Sequence, residues 1–279
     1  MRLYKQVYLY FLSYAVNAVL SFGTVSLLTH YLSVYDYGII NLYSSFLIFL
    51  MPFVSGGILY PLSVEFFKRP PEKYKLFFSN ALVIPIVSLF LFTLLCVIFQ
   101  YQLADFLKVS PVWIWLMPLS AWAIMINEIV MLITRNKNKP VQFVFFSIGK
   151  NALEILITLI LVIGLQWAWQ GRLLSAFLAP AFLAILSVYL FSKWKLLSRQ
   201  VDTENIKRIF LMSFPFIFER LAVFVMGYSD KYFINEFDKN STAEVGLYGL
   251  AGQVSSIIYL ITISFNSAYH PHLFKQLAS

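Results

Sequence analysis

Five ionisable side chains stand inside otherwise apolar runs: Glu128, Lys150, Glu154, Glu219 and Arg220. A charge at the centre of a membrane helix costs about 2.5–3.5 kcal/mol, so each is expected to face a bundle interior, a water-filled cavity or a partner. Their types allow two chemistries. Two cations at one depth hold a phosphate or pyrophosphate, Arg by its planar fork and Lys as a point charge. Carboxylates in the same space can neutralise such cations within or between helices. Lys150 and Arg220 are therefore the candidate anion-binding pair, and Glu128, Glu154 and Glu219 the acids placed within the same runs.

Depth and spacing limit the pairings. At about 1.5 Å per residue, Glu128 lies about 9 Å from the inner end of its run, Lys150 about 12 Å and Arg220 about 16 Å. Lys150 can meet Glu128 across adjacent antiparallel helices, or Glu154 one turn along its own helix. Glu219 and Arg220 are neighbours about 100° apart on a helix, which predicts that they do not neutralise each other face to face.

The elements that position these groups are apolar runs at 7–29, 39–61, 77–99, 112–134, 142–164, 173–192, 209–229 and 245–268. Each is near the roughly 20 residues that cross a ~30 Å hydrocarbon core, where only helices and closed barrels satisfy their own backbone. The composition agrees: 60% hydrophobic, 18% aromatic and 12% charged residues leave too little polar surface for a water-soluble chain. An all-α, polytopic transmembrane bundle is the expected fold. The net charge of +8 forms no basic stripe with interleaved aromatics, so nucleic acid is not an expected partner.

Basic residues set the orientation. With the amino terminus inside, Arg2, Lys5, Lys68, Arg69, Lys73, Lys75, Arg135, Lys137, Lys139, Lys193, Lys195, Arg199, Lys207, Arg208 and Lys275 lie on the inner side. Only Lys108, Arg172, Lys231 and Lys239 lie outside. This strong positive-inside bias predicts a multi-pass protein of the bacterial cytoplasmic (inner) membrane with a cytoplasmic amino terminus. The first run is too long for a signal-peptide core and contains Asn17, and no small-residue cleavage site follows it.

No soluble domain interrupts the runs. The inner loop 193–208 has room for a short surface helix capped by Asp202 or Thr203. Cys96, the single cysteine, is expected to pack as a small apolar group. His30, His270 and His272 lie at span ends without a matching carboxylate cluster, so neither a metal nor another cofactor is expected. There is no phosphate-binding glycine loop and no enzyme signature, and the chain is not expected to be an enzyme.

A faint repeat lays Asp36-Tyr37-Gly38-Ile39-Ile40-Asn41-Leu42 on Glu244-Val245-Gly246-Leu247-Tyr248-Gly249-Leu250. Each copy puts an acid where a helix amino terminus attracts negative charge. The copies stand six spans apart, which preserves orientation and suggests parallel repeats about an axis along the membrane normal. Residues 1–208 would then form a first lobe of six spans, and 209–279 the start of a second, incomplete lobe. Pro52, Pro85, Pro118, Pro180 and Pro215 fall within spans, and Gly56-Gly57 would loosen the second.

Ser213-Phe214-Pro215-Phe216, Ser229-Asp230-Lys231-Tyr232-Phe233-Ile234 and Glu244-Val245-Gly246-Leu247-Tyr248 resemble the middle of the polysaccharide-biosynthesis flippases, the O-antigen or lipid-linked oligosaccharide translocases. Leu28-Thr29-His30-Tyr31-Leu32 with Asp36-Tyr37-Gly38 is similar to that family's first outer loop. The resemblance implies a transporter of the multidrug/oligosaccharidyl-lipid/polysaccharide superfamily, with two lobes around a central cavity and usually twelve to fourteen spans. Its cargo would be an undecaprenyl-diphosphate-linked glycan moved to the outer leaflet for surface polysaccharide such as lipopolysaccharide O-antigen. Membrane lipids and polysaccharide assembly proteins would be its partners. Lys150 and Arg220 would attract the diphosphate, and Glu128, Glu154 or Glu219 would bind a coupling proton or sodium ion. A drug or metabolite exporter of the same superfamily, a membrane-embedded glycan enzyme and a partner-binding scaffold are the alternatives.

Overall fold

The computed structural model describes residues 3–237 and 242–255, with side chains from Tyr8 onward. Among the described residues every regular element is helical, and the fold is a polytopic all-α bundle. Among the described residues seven helices are long and apolar enough to cross a membrane.

Helix α1 spans Leu3–Leu28 and α2 Val34–Ser55. A capping box starts α2: the Asp36 N–H donates to Ser33 Oγ at 3.1 Å, and the Ser33 N–H donates to Asp36 Oδ2 at 2.9 Å. The acid expected at this helix start thus works through its side chain as well as its charge. Gly56 (φ 58°) and Gly57 (φ 69°) then enter the left-handed region and end α2. The chain resumes as the short α3, Leu59–Lys68. The second apolar run is therefore broken rather than continuous.

Helices α4 (Pro71–Ile98), α6 (Pro111–Asn136) and α7 (Pro140–Thr158) each open on proline, whose missing N–H costs nothing in a first turn. The short α5 (Gln100–Leu107) lies between α4 and α6. A π-helical segment, Leu159–Gly164, continues α7, and α8 covers Ala168–Lys193. The next spanning helix, α9, is Thr203–Tyr228, followed by the short α10, Asp230–Phe237. Backbone 242–255 is helical and is called α11. The eighth expected span, 245–268, lies outside the described residues beyond 255, as do His270 and His272.

The loop 193–208 holds no separate surface helix. Asp202 does act as a cap, accepting from the Asn205 N–H at 3.1 Å, but the helix it caps is the spanning α9 itself. Ser79 and Asn80 on α4 pin the segment before it: Ser79 Oγ accepts from the Ser198 N–H at 2.6 Å, and Asn80 Oδ1 accepts from the Asp202 N–H at 3.1 Å. The five expected intrahelical prolines all lie within helices.

Helix α6 runs through the middle, packed against α2, α4 and α8. One apolar core gathers Phe77, Phe78, Ile129, Ile133 and Phe191, and a second Leu42, Leu107, Ile114 and Met117. Buried Asn127 ties the bundle together, donating to the Pro180 carbonyl at 2.9 Å and accepting from Ser187 Oγ at 2.8 Å. Cys96 is buried and free, as expected of a small packer.

Candidate functional site

A cavity of about 860 Å³ opens where α1, α2, α7, α8, α9, α10 and α11 converge at the end of the bundle that carries Asp36. Its lining includes Asn41, Asn151, Glu154, Thr158, Arg172 and Lys231. This supply of amides, hydroxyls and charges inside an apolar bundle makes it the foremost candidate site.

One wall is a polar bracket between α7 and α8. Arg172 Nη1 donates to Glu154 Oε1 at 2.7 Å and to Ser175 Oγ at 3.4 Å. Thr158 Oγ1 lies 2.6 Å from Ser175 Oγ and donates to the Glu154 carbonyl at 2.8 Å. Gly171 lets the π-helical segment approach, since a Cβ there would press on Leu161 and Val162 at 3.1 Å. A second wall comes from α1 and α7, where Asn17 donates to Ser147 Oγ at 2.8 Å and accepts from Asn151 at 3.0 Å.

The opposite wall belongs to Lys231 at the start of α10. Its Nζ donates to Asn41 Oδ1 at 2.9 Å and sits 5.5 Å from the centroid of the Tyr228 ring. Asn41 in turn donates to the Tyr37 carbonyl at 2.8 Å, which fixes its orientation. Among the described residues no carboxylate comes within ion-pair distance of Lys231. Burial holds its ammonium below the usual lysine value.

Beside this wall α2 and α11 meet through glycine. A Cβ on Gly38 would overlap the Thr242 carbonyl, one on Gly246 the Val34 carbonyl, and one on Gly249 the Asn41 side chain. In the sequence repeat Gly38 answers to Gly246, Val34 to Thr242 and Asn41 to Gly249. The contact is thus reciprocal, as two-fold-related surfaces require. Such close backbone approach is the usual reason for small residues at membrane helix interfaces.

Of the expected site residues only Glu154 lines this cavity, and its partner is Arg172 rather than Lys150. Lys150 lies one turn away on α7 and reaches ion-pair distance of neither Glu128 nor Glu154. Glu128, Lys150 and Arg220 stand outside the cavity lining. Glu219 and Arg220 do pair, at 3.7 Å, with side chains 59% and 63% exposed. The 100° offset was overcome because both side chains are long and unconfined.

From residue 3 to residue 276 the chain matches the family described as "Polysaccharide biosynthesis protein". The chain belongs to that family. An uncharacterized membrane protein of Haemophilus influenzae is 25% identical over 155 residues, which cover 54% of this chain and 37% of that protein. A solved structure described as "protein A" superposes with a TM-score of 0.71 over 98% of this chain and 65% of its own, at 15% identity, and shares the fold. The chain thus spans well under half the length of the relative and about two thirds of the solved chain.

Two cavity residues escaped sequence reading in this polysaccharide-biosynthesis protein. Arg172 falls one residue outside the sixth apolar run, 173–192, and so reads as an outer-loop charge, whereas α8 starts at Ala168 and includes it. Lys231 likewise reads as an outer charge, although it stands in the Ser229–Ile234 motif. An arginine one residue outside an apolar run, with an acid at matching depth on the preceding helix, was the available signal.

Proposed function

We propose that this protein translocates a lipid-linked oligosaccharide across the bacterial cytoplasmic membrane for surface polysaccharide synthesis. The observation that carries the reading is the cavity of about 860 Å³, lined by amides, hydroxyls and two cations within a membrane bundle. Hydroxyl-rich glycans exchange hydrogen bonds with such groups, while a lipid tail stays in the bilayer. The family membership supports a role in polysaccharide synthesis.

Lys150 and Arg220 attract the diphosphate, and the glycan occupies the polar cavity. Residues 1–208 act as the first lobe and 209–279 as the start of the second, with the amino terminus cytoplasmic. Rocking about the glycine seam exposes the site to one side and then the other. Glu128, Glu154 or Glu219 takes the coupling proton or sodium ion. An exporter of cationic drugs would need an unpaired acid in the cavity, and Glu154 is already engaged by Arg172.

Lys150→Ala, Arg220→Ala and the double variant test the anion site in cells that depend on this gene for surface glycan. Reduced glycan at unchanged membrane protein level is expected, most severely in the double variant. Wild-type glycan in all three would remove these cations from the mechanism.

A further inference from the structure

Away from the main cavity, an open groove of about 610 Å³ lies between the start of α6 and the turn that joins the π-helical segment to α8. Trp113, Leu116, Trp167 and Leu174 give it apolar walls, and Gln166 and Gln170 give it two amides. Helix α8 shows Gln170 and Leu174 to the groove and Arg172 to the cavity.

The groove is built in advance. Trp113 stands edge-on to Tyr43 at 6.5 Å and against Trp169 at 5.7 Å, and its carbonyl accepts from the Tyr43 hydroxyl at 3.0 Å. The facing turn is tied down by its backbone: the Leu165 N–H donates to the Ile160 carbonyl and the Trp167 N–H to the Leu161 carbonyl, both at 3.0 Å. Gln166 between them is left-handed (φ 56°), a conformation that glycine takes cheaply and glutamine does not. Trp167 stays 47% exposed. Among the described residues neither glutamine amide, and neither indole N–H of Trp113 or Trp167, has a hydrogen-bond partner. A tryptophan that only anchors a membrane edge needs no second fixed ring and no facing pair of free amides.

Resting on the translocation reading, we propose that this groove is a saccharide subsite, which holds a pyranose unit of the glycan beside the cavity. The ring chemistry matches. One face of a pyranose presents C–H bonds, apolar and weakly positive, which stack on the negative face of an indole. Its hydroxyls both donate and accept, and a glutamine amide offers them an acceptor and two donors. Aromatic walls with a few convergent polar groups are the usual make-up of a small-ligand site. A lipid tail would satisfy the walls and leave both amides unpaired, so a sugar is the better occupant.

The test uses the full chain in lipid nanodiscs with all six tryptophans replaced biosynthetically by 5-fluorotryptophan. The fluorine NMR signals are assigned by single substitutions to phenylalanine. They are then followed while titrating short oligosaccharides released from the host's surface polysaccharide by mild acid. The Trp113 and Trp167 signals are expected to shift saturably, and that of Trp194, at the far end of α8, to stay still. Sorbitol, a polyol with no ring, is expected to shift neither. Trp167→Ala is expected to raise the midpoint read at Trp113 ~5-fold by removing the stack. Gln170→Ala is expected to raise it by a similar factor through lost hydrogen bonds. Trp167→Phe, which keeps an aromatic face, is expected to stay near the parent, which separates a lost stack from a misfolded protein. Unmoved Trp113 and Trp167 signals, an equal response to sorbitol, or a Trp167→Ala midpoint like the parent's overturns the subsite. Lipid-linked glycan levels in cells lacking the gene test the translocation reading separately: unchanged precursor with saturable groove shifts would remove translocation and leave the subsite.

Discussion

At the scale of single residues, the cavity is organised by which charges are satisfied. Arg172 and Glu154 are 29% and 19% exposed, so removing one partner strands a largely buried charge. Arg172→Ala is expected to lower stability by about 2–3 kcal/mol, short of the ~3–5 kcal/mol of a fully buried pair. Pairing it with Glu154→Gln should recover much of that loss, and thermal unfolding of the four proteins in detergent measures the coupling. Lys231 makes a pH prediction. Its folded pKa lies below the usual 10.5, so between the lowered value and 10.5 the unfolded chain binds more protons. Stability rises with pH across that window, which thermal unfolding at stepped pH measures. Lys231→Arg, which stays charged, should lose that dependence. Sequence placed the acids within spans correctly but not their partners, because pairing depends on helix rotation and a one-turn offset in depth. Lys150 shows this: i,i+4 spacing brings it near Glu154, yet Arg172 from α8 takes that carboxylate.

At the scale of elements, the α2–α11 contact offers the sharpest check. Gly38→Ala and Gly246→Ala each drive a methyl into a backbone carbonyl of the other helix. Both are expected to destabilise by about 1–3 kcal/mol, and by similar amounts because the contact is reciprocal. Gly23→Ala, with nothing within 4 Å of the added carbon, should be neutral or stabilise by about 0.5–1 kcal/mol. Melting temperatures of the three variants decide the matter; a harmless Gly38→Ala would contradict the seam. Most helix starts could be read from the chain, since Pro71, Pro111, Pro140 and the Ser33–Asp36 box announce themselves. The break at Gly56-Gly57 was legible only as looseness. What fixes it is tertiary: a Cβ on Gly57 would press on the Ser213 carbonyl of α9, and Tyr60 stacks on Phe216 at 4.1 Å.

At the scale of the whole molecule, apolar runs and the family motifs were enough to anticipate a polytopic helical bundle of the polysaccharide-biosynthesis family. The cavity was not, because its walls come from seven helices and its key cations sit at run ends, where sequence assigns charges to loops. The central proposal is that this cavity carries a lipid-linked glycan. The most direct measurement is mass spectrometry of lipid-linked glycan, alongside surface polysaccharide, in host cells with and without the gene. Accumulated lipid-linked precursor with loss of surface glycan, reversed by the restored gene, is the expected result. Unchanged precursor and surface glycan in a host with no redundant transporter would contradict it.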